Sequence, residues 1–492
     1  MAFGSWFALR TAADTATAEA EGAPWFAGYV DVTATPAYAM ESQTGDGTEN
    51  VVLSFIVAAS ATDCTPTWGA AYTLDEASMD LDLDRRLARV REQDRDVVIS
   101  FGGQLNTELG DACADANDLE AAYAAVIDRY DVTTIDLDLE GVTLDDAESM
   151  SRRAQVIAAL QHARRSGGGE LAVWLTLPVI PSGLTEQGTD AIAEFLDAGV
   201  DLAGVNVMTM DYGAALEPGT SMGDAAESAL TQTHRQLGIL YDQADLPLGS
   251  ASLWRKIGAT PMIGQNDVVG EVFELADARS LNAFAVRNGL GRMSMWSLNR
   301  DRTCGANYPD VTVVSDSCSG VQQDATTFAA ELSKHITGAP ADSADGRTQA
   351  ERQTPVPDDP ETSPYPIWNE NSSYLAGNKI VWHGNVYEAK WYTQGDLPDD
   401  PVLQESDTPW TLVGPVLPGE APIPVPTLPD GFYDEWKPKK IYEAGDRVMF
   451  DENAFEARWW TQGDSPEAGY IDPGNSPWLQ LDEAEIRRLL RS

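Results

Sequence analysis

The chain has 492 residues, 43% of them hydrophobic, enough for a large core and about three domains. It carries 78 acidic against 32 basic residues, a net charge of -46, and its first lysine is Lys256. Such a surface repels nucleic acid and anionic membranes, so neither is an expected partner, and no apolar run approaches the length of a membrane span.

Residues 1–24 form an N-terminal segment that does not read as a signal peptide: Arg10 is its only basic residue and no useful apolar core follows. From there, eight apolar, β-rich runs are predicted as strands: Phe26–Val32, Val51–Ala58, Asp96–Phe101, Thr133–Glu140, Leu171–Pro178, Gly204–Met210, Gly258–Ile263 and Arg292–Leu298. Helical periodicity lies between them, as in Asp118–Tyr130, Ala147–Ser166 and Ala225–Gln243; Asp118 suits an acidic first turn. Strand and helix alternating eight times predict an α/β fold, a (β/α)8 TIM barrel over residues 25–338. A doubly wound open sheet is the alternative, and the early chain lacks the GxGxxG that would favour it.

Cys64, Cys113, Cys304 and Cys318 form no CxxC pair, and His162, His234, His335 and His383 are scattered, so no metal site and no cofactor is expected. Cys304 and Cys318 bracket a short polar loop that a disulfide would close, leaving Cys64 with Cys113; four buried thiols are the other reading. A polar linker, 339–364, ends in a Pro-rich run, and a second Pro-rich linker occupies 414–431. The segments on either side of the second linker, 365–413 and 432–480, repeat each other without a gap. Tyr374 matches Tyr442, Trp391 matches Trp459 and Trp410 matches Trp478, always 68 positions apart. These are two small β-rich modules, followed by a tail, 481–492.

The fourth predicted strand reads Thr133-Thr-Ile-Asp136-Leu-Asp138-Leu-Glu140. With a side-chain period of two, Asp136, Asp138 and Glu140 share one face and Ile135, Leu137 and Leu139 the other. In a barrel the apolar set faces the helices and the acids point inward, with Glu140 at the C-terminal mouth where active sites form. Crowded carboxyls raise the pKa of at least one of them, which a general acid at neutral pH requires.

This strand resembles the DxxDxDxE signature of glycoside hydrolase family eighteen, the chitinase family. Thr133 stands where the signature has its first acid. Ser100-Phe-Gly102-Gly103 resembles that family's SxGG motif, Met208-Thr-Met-Asp211-Tyr212-Gly213 its substrate-holding motif, and Trp296 falls where the family places the tryptophan floor of the sugar site. The resemblance implies a retaining, substrate-assisted hydrolysis of β-1,4-linked N-acetylglucosamine polymers. Glu140 would protonate the leaving oxygen. Asp138 would orient the acetamido group and turn between Glu140 and Asp136, sharing a proton with Asp136. Asp211 and Tyr212 would hold the acetamido group; Met208, Tyr29, Gly102, Gly103 and Gln265 would line the site.

Ala389-Lys-Trp-Tyr-Thr-Gln-Gly395 and Ala457-Arg-Trp-Trp-Thr-Gln-Gly463 resemble the AKWWTxG signature of chitin-binding modules of carbohydrate-binding families five and twelve. Adjacent aromatics on a strand face opposite ways, so one of Trp391/Tyr392 and one of Trp459/Trp460 is expected to pack the core and the other to stack on sugar rings. Trp368 and Trp436 would add a second platform. The expected partners are chitin and N-acetylglucosamine oligomers, and the expected state is a secreted, extracellular monomer. The acid excess is similar to that of proteins from salt-loving organisms. An endo-β-N-acetylglucosaminidase acting on N-glycans and a non-catalytic chitin-binding lectin are the competing readings.

Overall fold

The computed structural model describes residues 22–340, save 247, and residues 358–491, save 361, 399–407, 418, 423–427, 430, 451–452, 467–474 and 482. Most of the expected N-terminal segment and of the first linker, and part of the second, lie outside the described residues. The chain divides into two units, Met1–Gln349 and Ala350–Ser492.

The first unit is built on eight parallel strands. β1 comes in two pieces, Trp25–Phe26 and Gly28–Asp31; then follow β2 (Val51–Ser60), β3 (Val97–Gly102), β4 (Thr134–Asp138), β5 (Ala172–Ile180), β6 (Leu202–Met208), β7 (Ile257–Thr260) and β8 (Arg292–Met293). Each pairs in parallel with the next. The first piece of β1 pairs with β8 and the second with β2, which closes the ring. Closure pairs each of the eight strands on both sides, so the ring itself offers no free edge.

Helices α1 (Leu83–Arg91), α2 (Ala116–Arg129), α3 (Ala147–Ser166), α4 (Glu186–Asp197), α5 (Met222–Gln243) and α6 (Leu275–Asn288) belong to the crossovers. Two start on aspartate caps. Asp115 accepts from the N–H groups of Asn117 and Asp118, and Asp146 from those of Glu148 and Ser149. The alternation is incomplete in one place: between β1 and β2 only a 3-10 turn, Met40–Ser42, replaces the expected helix. No helix among the described residues is long and apolar enough to cross a membrane.

The strand parity has two consequences. Ile135, Leu137 and Leu139 join Val173, Leu175, Val205 and Val207 in the large core beneath the helices. Inside the ring, a smaller cluster of Trp25, Tyr29, Val52, Val98 and Trp174 fills the lower barrel. The indole of Trp174 fits there because residue 204 is glycine: a Cβ at Gly204 would stand 2.3 Å from the Trp174 ring and 2.7 Å from the Lys256 carbonyl oxygen. Disulfides Cys64–Cys113 and Cys304–Cys318 are both formed, closing separations of 49 and 14 residues.

In the second unit, the two repeats carry the same strands. β9 (Lys379–Trp382), β10 (Asn385–Ala389) and β11 (Trp410–Pro415) form one antiparallel sheet; β12 (Arg447–Phe450), β13 (Asn453–Ala457) and β14 (Trp478–Gln480) form the other. Tyr374 and Trp410 are buried in the first, Tyr442 and Trp478 in the second. The indoles of Trp410 and Trp478 donate to the carbonyls of Asp396 and Asp464, again 68 apart. The expected tail is a helix, α7 (Glu483–Arg491). Its Ile486 is buried with Met449, Ala454 and Leu481, so the Ile486/Leu489 spacing covers an apolar sheet face.

Substituting Gly204→Ala will drive a methyl group into the Trp174 ring. The expected loss is about 1–3 kcal/mol of stability, read as a lower denaturation midpoint with an unchanged slope. An unchanged midpoint would show that Trp174 repacks freely.

Candidate active site

The parity of β4 points Asp136 and Asp138 into the barrel, where they are 0% and 5% exposed, and Glu140 follows at the C-terminal mouth. Asp136 is the best-held group in the site. Its Oδ2 accepts from the Tyr29 hydroxyl at 2.8 Å and the Ser100 hydroxyl at 2.7 Å. Its Oδ1 accepts from the Thr176 hydroxyl at 2.6 Å and from Arg292 Nη1 at 2.5 Å. The polar layer continues sideways: Asn206 donates to Thr176 at 2.9 Å and Thr260 donates to Asn206 at 2.9 Å. Six neighbouring strands of the ring besides β4 therefore contribute a side chain: β1, β3, β5, β6, β7 and β8.

Asp138 and Glu140 share a side-chain hydrogen bond. Burial pushes the Asp138 carboxyl well above its usual range; the negative charges of Glu140 and Asp136 add to this and Arg292 opposes it. Burial likewise raises Glu140, to about 7. The hydrogen bond with Asp138 opposes the rise, and the nearby charges of Asp211 and Asp267 reinforce it. A carboxyl poised near neutrality at a barrel mouth is suited to general acid and base work. The expected sharing of a proton between Asp136 and Asp138 is not what the structure shows. Four donors occupy the four acceptor positions of Asp136, and the hydrogen bond of Asp138 runs to Glu140 instead.

Thr133 precedes β4 and lies outside the inward row. It lines a cavity of about 290 Å³ at the opposite, N-terminal end of the barrel, with Trp25, Trp174 and Pro340. The acids are supported by neighbouring strands, so the replacement of the signature's first acid leaves that support intact.

Around the acids, Trp296 is half-buried and stacks on Phe55, ring centroids 5.5 Å apart, with Tyr29 edge-on at 5.9 Å. Gly102 and Gly103 adopt positive φ angles of 98° and 84°. A Cβ on Gly102 would lie 2.1 Å from the Asp138 carbonyl oxygen, and one on Gly103 2.8 Å from the Phe55 ring. The Gly103 N–H donates to that same carbonyl at 2.9 Å. These glycines let β3 close against β4. Met208 ends β6, 9% exposed, on the same face as Asn206.

Asp211 has a φ of 50°. A hairpin, Gly264–Gln265 paired with Val272–Phe273, holds this turn. Asp211 Oδ1 accepts from the Val268 N–H at 3.0 Å, and Glu271 accepts from the N–H groups of Tyr212 and Gly213 at 2.9 and 2.7 Å. Burial raises the Asp211 carboxyl; the Val268 N–H opposes and Asp267 adds to the rise. Tyr212 departs from expectation. Its ring is 4% exposed within the outer core, and the charge that its hydroxyl feels is Glu271, not the acid row. The side chain of Gln265 lies over Gly320.

In the modules, the aromatic pairs sit on bends between strands, not within them. The alternation rule therefore does not apply, and Trp459 and Trp460 are both exposed, 43% and 55%. Trp391 is exposed by 45% and Tyr392 is half-buried. Lys390 and Arg458 lie over the rings of Trp391 and Trp459. Trp368 and Trp436 are half-buried against the module cores, with their indole N–H groups buried, and are not open platforms.

Residues 435–479 match the family profile described as "Carbohydrate-binding module family 5/12". Over 308 residues the chain is 35% identical to a "Probable bifunctional chitinase/lysozyme" of Escherichia coli (strain K12), a match covering 60% of this chain and 33% of that protein. Over 302 residues it is 34% identical to "Endochitinase 11" of Metarhizium anisopliae, covering 58% and 56%. The chain thus spans between a third and somewhat over half of the length of these relatives. Among solved structures, the catalytic domain of a hyperthermophilic chitinase from Pyrococcus furiosus aligns with a TM-score of 0.53 and 27% identity, over 63% of this chain and 93% of that one.

The sequence reading overlooked Arg292, Phe55, Asp267 and Glu271. Arg292 carried a signal, as a cation opening an otherwise apolar strand. The other three act through contacts that no local pattern announces.

The electrostatics set a pH dependence. Glu140 must carry a proton to act as an acid, so kcat/KM should fall as pH rises through about 7. Asp211→Asn removes a negative charge that favours the protonated form, so the alkaline limb should move to lower pH. A pH–rate profile on soluble oligomers checks both, and a limb unmoved by Asp211→Asn contradicts the coupling.

Proposed function

We propose that the chain is a chitinase that hydrolyses β-1,4-linked N-acetylglucosamine polymers with retention, the substrate's own acetamido group serving as nucleophile. The observation that carries this reading is the hydrogen-bonded Asp138–Glu140 pair at the barrel mouth. A retaining enzyme with a protein nucleophile needs a second carboxylate facing Glu140 across the scissile bond, about 5–5.5 Å from it. Asp138 lies beside Glu140 on the same strand, buried and hydrogen-bonded to it. It suits orienting an acetamido group and stabilising a cationic oxazolinium, with Glu140 protonating the leaving oxygen and then activating water. Asp211 would hold the acetamido group and Trp296 would floor the sugar site. The chitinases named among the relatives favour the same substrate.

The same reading assigns residues 25–338 to catalysis, and 365–413 and 432–480 to two chitin-binding modules joined by linkers, which raise effective concentration at an insoluble surface. Exposed Trp391, Trp459 and Trp460 would stack on sugar rings. Two disulfides suit an oxidising, extracellular compartment, and the acidic composition suits high salt.

Incubation of the purified protein and of Glu140→Gln with colloidal chitin in high salt tests the activity. Soluble oligomers are expected from the wild type alone, the variant losing about 100-fold or more. Release of N-glycans, with chitin untouched, would replace the reading with the endo-β-N-acetylglucosaminidase. Binding without product from either protein would replace it with the lectin.

A pull-down on chitin tests the modules. Trp459→Ala with Trp460→Ala should weaken retention about tenfold or more without unfolding, both rings being exposed. Trp478→Ala, which empties the core, should instead melt that module. Retention unchanged by the paired substitution would contradict the stacking role.

A further inference from the structure

The two repeats share a backbone and differ in charge beside their aromatic pairs. In each, a two-residue strand, Ser373–Tyr374 or Ile441–Tyr442, pairs antiparallel with the strand that follows the aromatic pair, Thr393–Gln394 or Thr461–Gln462. The residues just before the first of these strands take the same course in both repeats. The Asn369 N–H donates to the Tyr374 hydroxyl at 2.7 Å, and the Lys437 N–H to the Tyr442 hydroxyl at 2.7 Å. Gln394 Nε2 donates to the Asn371 carbonyl at 3.2 Å, and Gln462 Nε2 to the Lys439 carbonyl at 3.1 Å. This segment runs beside the aromatic pair: in the first repeat the Ser373 and Tyr392 hydroxyls are 3.3 Å apart.

On this common frame the side chains diverge. The first repeat reads Asn369-Glu-Asn-Ser-Ser373, with one negative charge; the second reads Lys437-Pro-Lys-Lys-Ile441, with three positive charges. The whole chain has seven lysines, and three of them fall within these four positions. All three are exposed. Lys440 pairs with Asp434 at 3.4 Å and lies over the Tyr442 ring. Lys437 and Lys439 form no ion pair among the described residues. Arg458 adds a cation over Trp459, as Lys390 does over Trp391, so that charge is common to both repeats. In a chain that carries so few cations, three together beside two exposed indoles favour an anion at that face.

We propose that the second repeat is specialised for an N-acetylglucosamine polymer that bears acidic groups: Trp459 and Trp460 stack on its rings while Lys437, Lys439 and Lys440 pair with carboxylates along it. The first repeat, with amides and hydroxyls at the same positions, takes the neutral polymer. This rests on the sugar-binding reading of the modules. Lysine suits the task, since a compact ammonium on a flexible stem reaches anions at irregular spacing, where the planar fork of arginine needs a fixed geometry. One exposed ion pair contributes little, but three on a single polymer act together.

The test uses the full chain carrying Glu140→Gln, which prevents digestion, and Trp391→Ala, which weakens the first repeat. Retention is measured on beads bearing neutral glycol chitin or carboxymethyl chitin. The net charge of the chain opposes any polyanion, so proteins are compared on the same polymer. Adding Lys437→Asn, Lys439→Asn and Lys440→Ser copies the first repeat into the second at exposed positions. It should weaken retention on carboxymethyl chitin about three- to tenfold and leave retention on glycol chitin unchanged. The gap should narrow as salt rises, because the Debye length shrinks from about 10 Å at 0.1 M to about 3 Å at 1 M. The reverse exchange, Asn369→Lys with Asn371→Lys and Ser372→Lys, made in a Glu140→Gln chain that carries Trp459→Ala and Trp460→Ala but keeps Trp391, should strengthen the hold on carboxymethyl chitin by a similar factor. Equal retention with and without the three lysines on carboxymethyl chitin overturns the proposal. So does an equal loss on both polymers, which would make the lysines general donors to sugar hydroxyls. Retention on carboxymethyl chitin that survives the further loss of Trp459 and Trp460 would show charge acting without a sugar face, and overturns it too. If the Glu140→Gln chain with both repeats intact binds neither polymer, the sugar-binding reading of the modules falls, and the proposal with it.

Discussion

The ion pair between Arg292 and Asp136 is the constraint around which the barrel interior is organised. Removing both groups from water is costly, and their mutual attraction repays the cost only when every remaining donor and acceptor is satisfied. The interior meets that condition for Asp136 with side chains from strands all round the ring: Tyr29, Ser100 and Thr176 complete its acceptor positions, while Asn206 and Thr260 continue the network, and Arg292 Nε alone of the pair's polar atoms is buried without a partner among the described residues. Below it, Trp25 and Trp174 enclose the cation, and Gly204 supplies the room that Trp174 needs. Above it, Asp138 and Glu140 are left to interact with each other. Parts that seem separate in the sequence, a glycine on β6 and an acid on β4, are thus linked through one charge.

A second support comes from outside the ring. The hairpin after β7 grips the turn after β6 through Glu271 and Val268, and its Asp267 sits close enough to influence Glu140 and Asp211. The acid at the mouth is therefore tuned by three elements: its own strand, the turn that carries Asp211, and the hairpin that holds that turn. Backbone N–H groups given to Glu271 cost the turn little, because a carboxylate is a strong acceptor for them.

What could be read in advance follows from the range of the interactions. Period-two alternation is local, so the inward row on β4 and its apolar partners beneath the helices were legible, as was the span of α3 at Ala147–Ser166. The repeat of the modules was legible because each unit forms the same contacts in register. Arg292 is 156 residues from Asp136, and no local pattern reports such a pairing. Tyr212 was misplaced because its neighbours suggested a site while tertiary packing drew the ring into the core. The paired tryptophans were misjudged for a different reason: the rule applied to them holds for a strand, and they occupy a bend. The helix at Glu483–Arg491 was overlooked because a short, charged segment shows its apolar stripe only once a sheet face is there to receive it.

Basic side chains are scarce in this chain, yet Arg153, Arg292 and Arg300 are all fully buried. Solvent consequently meets a surface even poorer in cations than the composition suggests. A strongly negative surface gathers cations, protons included, within about one Debye length. The layer of water over the barrel is therefore more acidic than the bulk when salt is dilute, and approaches the bulk as salt screens the field. Glu140 titrates against that layer, so the bulk pH at which it surrenders its proton depends on ionic strength.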